Sequence, residues 1–202
     1  MKISKITPQK KNKKRSTVYI NGDYAFGLSN EIVLKFDLHE GDEIDDAIIK
    51  NVLLEQEKQR IRERGLRLLR YRIRSVKELT TRLLRIGFDE NLVNEVIDEF
   101  TQDNTLNDEE FAAAFVADHT ELKPKGDIFI RRELMKKGIS AEIIDKMIGT
   151  RDEGEIVKGL LRKKLFRFDL NNAKDRQKVL RRLLSRGFTP SVVYDKIRNH
   201  EE

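Results

Sequence analysis

Residues 80–93 read TTRLLRIGFDENLV, and residues 180–193 read LRRLLSRGFTPSVV. Residues 131–144, RRELMKKGISAEII, are a third copy of the same phrase. Aligning the glycines sets Gly87, Gly138 and Gly187 in register, 51 and 49 residues apart. Leu83, Leu134 and Leu183 then coincide, followed by Leu84, Met135 and Leu184. Beyond the glycine come Phe88, Ile139 and Phe188, then Leu92, Ile143 and Val192, then Ile97, Ile148 and Ile197. Matches at fixed offsets over such a period mark an internal repeat of helical units.

The phrase has the chemistry of one helix stopping and another starting. Glycine tolerates the left-handed conformation that closes a helix. Two residues on, Asp89, Ser140 and Thr189 are each suited to cap the next helix, and Pro190 fits its first position. Ser75, with Glu78 three residues later, reads as a capping box that opens the first copy of the helix. Leu79, Leu83 and Ile86 share one face of it, and Ile130 and Val179 stand where Leu79 does. Further amphipathic segments precede each phrase, at 58–72, 108–122 and 153–168. Each unit is therefore expected to be three helices that bury their faces by stacking on a neighbour. The repeating leucines and glycines are read as packing residues.

The first fifty residues differ. TVYINGDYAFGL alternates around Asn21 and Gly22, a strong hairpin signal because both turn positions need positive φ. Ser29 is placed to cap a short helix carrying Ile32, Val33 and Phe36. Gly41 breaks the chain before Asp45 opens a longer helix, with Ile44 and Ile49 as a hydrophobic staple. EQEKQR at 55–60 has no apolar residue and reads as an exposed helical connector. The expected fold class is mainly α, with tandem three-helix repeats in an elongated curved array behind a small N-terminal extension containing a β-hairpin. The boundaries are 1–50 for the extension, then 51–104, 105–150 and 151–202 for the repeats.

Apolar residues make up 38% of the 202, and charged residues another 38%, which suits exposed helices. Without cysteine there is no disulfide framework, thiolate metal site or cysteine nucleophile. No stretch approaches the roughly 18 apolar residues of a membrane span, and MKISKITPQKKNKKR lacks the apolar run of a secretory signal. A cytoplasmic protein without a membrane partner is expected. His39, His119 and His200 are isolated and read as surface residues. Gly149 and Gly154 are not followed by the Gly-Lys-Ser/Thr of a phosphate loop. Asp108, Glu109 and Glu110 sit where a helix begins, and there they complement its dipole. The serines lack a nucleophile-elbow context. Neither enzymatic activity, a metal nor a cofactor is expected.

The net charge of +6 is unevenly spread. Residues 86–122 hold eleven acids and no lysine or arginine. Residues 58–85 hold eleven bases against Glu63 and Glu78, and residues 158–186 hold eleven against Asp169 and Asp175. Seven bases and no acid fill the first fifteen residues. RIRERGLRLLRYRIR has arginines on nearly every side of a helix, more than a supporting face needs. The expected contact residues for a partner or nucleic acid are Arg70, Arg72, Arg74, Lys77, Arg82 and Arg85 in the first repeat. Arg162, Lys163, Lys164, Arg167, Arg181 and Arg182 are their counterparts in the last. The acidic middle suggests a partner carrying both signs of charge. The bland alternative is a neutral scaffold whose charges only keep it dissolved. Another is a nucleic-acid-binding repeat protein acting on its own.

Three blocks of residues resemble a known family, the RecX regulators of the bacterial RecA recombinase. The first is Leu68, Leu69, Arg72, Arg74, Ser75, Glu78, Leu79, Leu83 and Gly87. Leu106, Asn107, Asp108, Phe111 and Ala112 form the second together with Lys125, Gly126, Ile130, Glu133, Leu134, Lys137, Gly138 and Ile139. The third, VYINGDYAFGLS, is similar to the extension of longer members. Gly65 departs from the alanine more usual there, and weakens its helix by up to about 1 kcal/mol. The resemblance covers essentially the whole chain. It implies a curved, elongated, non-catalytic protein that binds the RecA–DNA filament and modulates RecA, most often by inhibition; separately, a monomer is expected. ATP hydrolysis and strand exchange in homologous recombination, DNA repair and the SOS response would be its targets. Contact with single- or double-stranded DNA is compatible with it. The resemblance supplies no set of binding residues, so those above rest on charge and position.

Overall fold

The computed structural model describes residues 1–165 and 167–199. They divide into two compact units, Met1–Tyr71 with Arg82–Glu99, and Arg72–Thr81 with the residues from Phe100 on.

The first unit begins with three antiparallel strands in the order β1-β2-β3, at Ile3–Pro8, Arg15–Ile20 and Asp23–Ser29. Asn21 and Gly22 have φ of 50° and 95°, as the hairpin between β2 and β3 requires. Strand β1 was not expected, because Ile3 and Ile6 are three residues apart and show no period of two, the register shifting between Ile3 and Lys5. Pairing on both sides holds it. β2 lies along one edge, and across the other the Ile3 amide donates to the Asp42 carbonyl and the Gly41 amide to the Ile3 carbonyl. Ile3, Val18 and Leu28 face a core shared with Ile32, Leu38, Ile44 and Val52, with Ile49 packed against it. Helix α1 (Asn30–Lys35) is capped by the Ser29 hydroxyl, which accepts from the Ile32 amide at 3.3 Å.

Helix α2 (Asp46–Tyr71) runs unbroken for 26 residues, roughly 39 Å. Asp45 caps it, accepting from the Ile48 amide at 2.7 Å. The segment 55–60, expected to be an exposed connector, is the middle of this helix. Gln56 is buried there because its Oε1 accepts the Ser29 amide at 2.5 Å, which fixes the sheet to α2. Helix α4 (Glu90–Gln102) begins at the Asp89 cap, whose carboxylate accepts from the Asn91 and Leu92 amides.

In the second unit, α5 (Asp108–Glu121), α6 (Asp127–Lys136) and α7 (Ala141–Ile148) enclose Phe111, Ala112, Val116, Ile130, Leu134, Ile139 and Ile144. Helices α8 (Glu153–Lys164), α9 (Ala173–Leu184) and α10 (Pro190–Arg198) enclose an equivalent set centred on Val157, Leu161, Val179, Leu183 and Phe188. Helix α3 (Val76–Leu84) spans the boundary of the two units and carries the buried Leu79 and Leu83. This is a mainly helical fold of tandem three-helix repeats. The repeated glycines all have positive φ: 99° at Gly87, 85° at Gly138 and 80° at Gly187. Among the described residues no helix is long and apolar enough to cross a membrane.

One rule joins successive repeats in the second unit: the start of a middle helix rests on the next repeat's glycine turn. Ser75, fully buried, donates from its hydroxyl to the Lys137 carbonyl at 2.7 Å and accepts from the Glu78 amide at 3.2 Å. One repeat later the Gly126 amide donates to the Arg186 carbonyl and the Ile128 amide to the Gly187 carbonyl, both at 3.1 Å. The Glu78 carboxylate does not close the expected capping box. It takes Arg72 at 2.8 Å and Lys137 at 2.6 Å, since a full charge binds two cations more strongly than one amide. Ser140 caps α7 as expected, accepting from the Ile143 amide. Thr189 makes no side-chain cap; its own amide donates to the buried carboxylate of Glu153 at 3.2 and 3.3 Å. Glu153 also accepts the Asp127 amide at 2.7 Å and so ties the starts of α6, α8 and α10 together.

Candidate partner-binding surfaces

Local helix chemistry sets where each expected contact residue points, and the long-range ion pairs decide which of them stay available. Arg70 lies exposed in the last turn of α2, and Arg82 in the last turn of α3, with Arg85 exposed just beyond. None of these three has an acidic partner among the described residues. They belong to the first unit, whereas Arg72, Arg74 and Lys77 belong to the second, so the unit boundary passes through the expected cluster. Arg72 is held by Glu78 and by the Ile73 carbonyl at 2.9 Å. Arg74 is half-buried and engaged in contacts of its own. The Lys77 stem lies where a Cβ on Gly138 would sit, 2.8 Å away. Arg72, through Glu78, and Lys77, against Gly138, are therefore committed to the repeat junction to different degrees.

In the last repeat, Arg162 and Lys163 are exposed near the end of α8, and Arg181 and Arg182 are exposed in the last turn of α9. Arg167 is exposed with its guanidinium 5.3 Å from the Phe168 ring centre. None of these five has an acidic partner among the described residues. The Lys164 side chain lies outside the described residues, as does His200.

Three acids of the acidic stretch, Glu95, Glu99 and Glu109, are paired with a lysine or arginine among the described residues. Arg62 grips Glu99 with two hydrogen bonds, Nε to Oε2 at 2.6 Å and a second at 2.9 Å, and reaches Glu55 at 2.8 Å. Lys58 pairs with Glu95, and Lys35 with Glu55 at 3.0 Å. The Glu99 carboxyl is held below its ordinary value chiefly by the Arg62 bond, and Arg62 is raised chiefly by the same bond. Burial opposes ionisation of Glu78, but Arg72 and Lys137 together outweigh it and lower its carboxyl. Asp108 receives the Val76 amide at 2.9 Å, and burial pushes its carboxyl up. Among the described residues no group of three histidine or acidic side chains is placed to hold a metal ion.

Two surfaces were invisible in the sequence. His119, expected at the surface, is only 16% exposed. It stacks on Phe115 with centroids 4.2 Å apart, and Phe129 lies 5.6 Å away on another side. Lys125 stands over Phe129 at 4.6 Å and Lys137 over Phe111 at 5.6 Å. Beside this cluster, Ile128 and Met135 of α6 are about half exposed and are flanked by Arg131, Arg132 and Lys136 in a hollow of about 640 Å³. The available signal was the apolar pair seven residues apart on a helix otherwise read as core.

Family models match three segments: the regulatory protein RecX N-terminal domain at residues 1–45, the first RecX three-helix domain at 62–100, and the second at 107–148. The regulatory protein RecX of Bacillus subtilis is 32% identical over 198 residues, covering 95% of this chain and 74% of that one. Its counterpart in Halalkalibacterium halodurans is 33% identical over 199 residues, covering 95% and 75%. A crystal structure of regulatory protein RecX superposes with a TM-score of 0.79 at 29% identity, covering 98% of both chains. RecX from Lactobacillus salivarius, at 21% identity and a TM-score of 0.59, covers 70% of this chain and 95% of its own, and shares the fold. Sheet, repeats and sequence agree across the chain, which belongs to the RecX family of regulatory proteins.

Proposed function

We propose that this protein binds the RecA–DNA filament in the cytoplasm and inhibits RecA ATP hydrolysis and strand exchange, as a non-catalytic regulator of recombinational repair and the SOS response. The observation that carries this reading is membership of the RecX family along nearly the full length of the chain. Physical support comes from what the folded chain leaves unsatisfied. Arg70, Arg82 and Arg85 in the first unit, and Arg162, Lys163, Arg167, Arg181 and Arg182 in the second, keep their charges free of internal acidic partners among the described residues. Guanidinium groups of this kind meet carboxylate or phosphate with paired hydrogen bonds. The half-exposed Ile128 and Met135 add an apolar anchor of the sort that protein interfaces bury at their centre. Repetition supplies several weak contacts on one chain, and each raises the effective concentration of the others on a polymeric partner.

The test is ATP hydrolysis by RecA assembled on single-stranded DNA, with this protein titrated in. A falling rate is expected, with the Arg181→Glu/Arg182→Glu and Ile128→Asp/Met135→Asp variants each needing about tenfold more protein for the same effect. An unchanged rate at a large excess of the unaltered protein refutes the reading.

A further inference from the structure

Between the N-terminal sheet and α2 lies a cleft of about 660 Å³, contained within the first unit. Its lining carries five cationic side chains, Lys14, Arg15, Arg60, Arg67 and Arg70, against two acidic ones, Glu31 and Glu63. Glu31 accepts the Gln59 side-chain amide at 2.7 Å, a neutral partner that leaves its charge in place, so five cations against two acids give the lining a net charge of +3. Arg60 is paired with Glu57, and Arg15 donates to the Gly27 carbonyl at 2.8 Å. Lys14, Arg67 and Arg70 have no acidic partner among the described residues, and all three are exposed. Arg67 and Arg70 lie three residues apart on α2 and so share its face.

The other wall is the β1–β2 loop, from which Asn12 and Lys14 line the cleft while Lys10, Lys11 and Lys13 neighbour them in sequence, and it is a built structure. The Arg15 amide donates to the Asn12 carbonyl at 3.0 Å, and the Lys14 amide to the Asn12 side chain at 3.1 Å. Asn30 then clamps the loop from α1. Its amide donates to the Lys14 carbonyl at 2.9 Å and its side chain to the Lys13 carbonyl at 3.0 Å. Asn30 is itself fixed by the Ser16 hydroxyl at 2.9 Å. All four lysines are exposed to solvent without an acidic partner among the described residues. A fold that concentrates like charges in this way destabilises itself unless a polyanion gains from them. Pinning the backbone lowers the entropy that such a ligand must remove on binding.

We propose that this cleft is a binding site for the phosphodiester backbone of duplex DNA, gripped between the lysine loop and Arg67 and Arg70. None of the lining residues is aromatic, so the site offers no platform for stacked bases and reads charge without sequence. Duplex DNA presents the denser phosphate array, about one charge per 1.7 Å of axis. Of the residues assigned above to the filament, Arg70 alone lines this cleft. It does not depend on that assignment, because its ligand is naked DNA.

The decisive measurement is fluorescence anisotropy of a labelled duplex of mixed sequence with the full chain, across a salt series and without RecA. Lys13→Glu/Lys14→Glu and Arg67→Glu, on opposite walls, are each expected to weaken binding about tenfold and to flatten the slope of log affinity against log salt by about 1 to 2. Lys50→Glu, an exposed charge reversal on α2 outside the cleft, is expected to leave both unchanged. The altered residues are exposed, so circular dichroism should match the unaltered protein; the milder Lys13→Gln/Lys14→Gln must then show the same trend. Undiminished affinity and slope in the variants of either wall overturns the proposal. So does equal or tighter binding of a thymidine single strand, or an equal effect of Lys50→Glu.

Discussion

Gly126→Ala puts the rule that joins the repeats to its hardest test. Gly126 has φ of −82° and ψ of 165°, a conformation any residue adopts, so the substitution adds no backbone strain. What it adds is a methyl group whose carbon would lie 2.1 Å from the carbonyl carbon and oxygen of Gly187 and from the Phe188 Cα. All three are backbone atoms, and no rotamer relieves the contact. To reach ordinary packing, the start of α6 and the α9–α10 turn must separate by roughly 1 Å or more, which stretches the two 3.1 Å backbone bonds beyond useful length. Overpacking costs about 1–3 kcal/mol, and two lost hydrogen bonds about 1 kcal/mol each. A loss of about 3–5 kcal/mol is expected. Gly159→Ala is the matched control: nothing lies within 4 Å of the place its methyl group would take, and it sits inside α8. It should gain up to about 1 kcal/mol from helix propensity. Urea unfolding with fitted midpoint and slope measures both. A Gly126→Ala protein within about 0.5 kcal/mol of the parent would refute the close approach of repeats two and three, because surface substitutions change stability by no more than that.

Two further outcomes follow from the ion pairs. Arg62 and Glu99 should show a coupling of about 1 kcal/mol in a double-mutant cycle to alanine, a figure kept low because Glu99 is 43% exposed, and one that shrinks in high salt. Glu78 has a folded value below its ordinary 4.5, so the charged form is the one that folding favours. Its contribution is therefore present above that value and is lost as pH falls through the lower folded one. Glu78→Gln should cost about 2 kcal/mol in urea midpoints near neutral pH and progressively less as pH falls below the ordinary carboxyl range, and a cost independent of pH would contradict the assigned pairing.

What could be read from the sequence was what is encoded within a few residues. Gly87, Gly138 and Gly187 announce helix ends through their own conformation, and Asp89 and Ser140 announce helix starts through bonds two or three residues long. The hairpin at Asn21 and Gly22 was equally local. Glu78 has the spacing of a capping box, yet its partner Lys137 is 59 residues away and no local pattern encodes that pairing. Gln56 looked like part of a polar connector because the amide it satisfies belongs to Ser29. Strand β1 was hidden because Ile3 and Ile6 do not follow the period of two, and the register shift that accommodates them is set by pairing with β2. The DNA cleft was divided in the same way, with Lys14 counted among basic residues at the chain start and Arg67 among those of a long helix. Charge could be counted from the sequence, but its neutralisation could not: Glu95 and Glu99 looked like surface for a partner and turned out to serve Lys58 and Arg62.

The Gly126–Gly187 approach also bears on how such a chain can grow. The contact is made by main chain on both sides, so it is indifferent to most side chains but intolerant of any change in the count of residues between a buried leucine and its glycine. Three residues separate them in every copy, from Leu83 to Gly87, Leu134 to Gly138 and Leu183 to Gly187. The middle helices themselves vary freely, at 9, 10 and 12 residues in α3, α6 and α9. Insertions are absorbed at the entrance of a helix and forbidden at its exit. A further module of about fifty residues that kept this spacing would bring with it a ready-made seat for its neighbour.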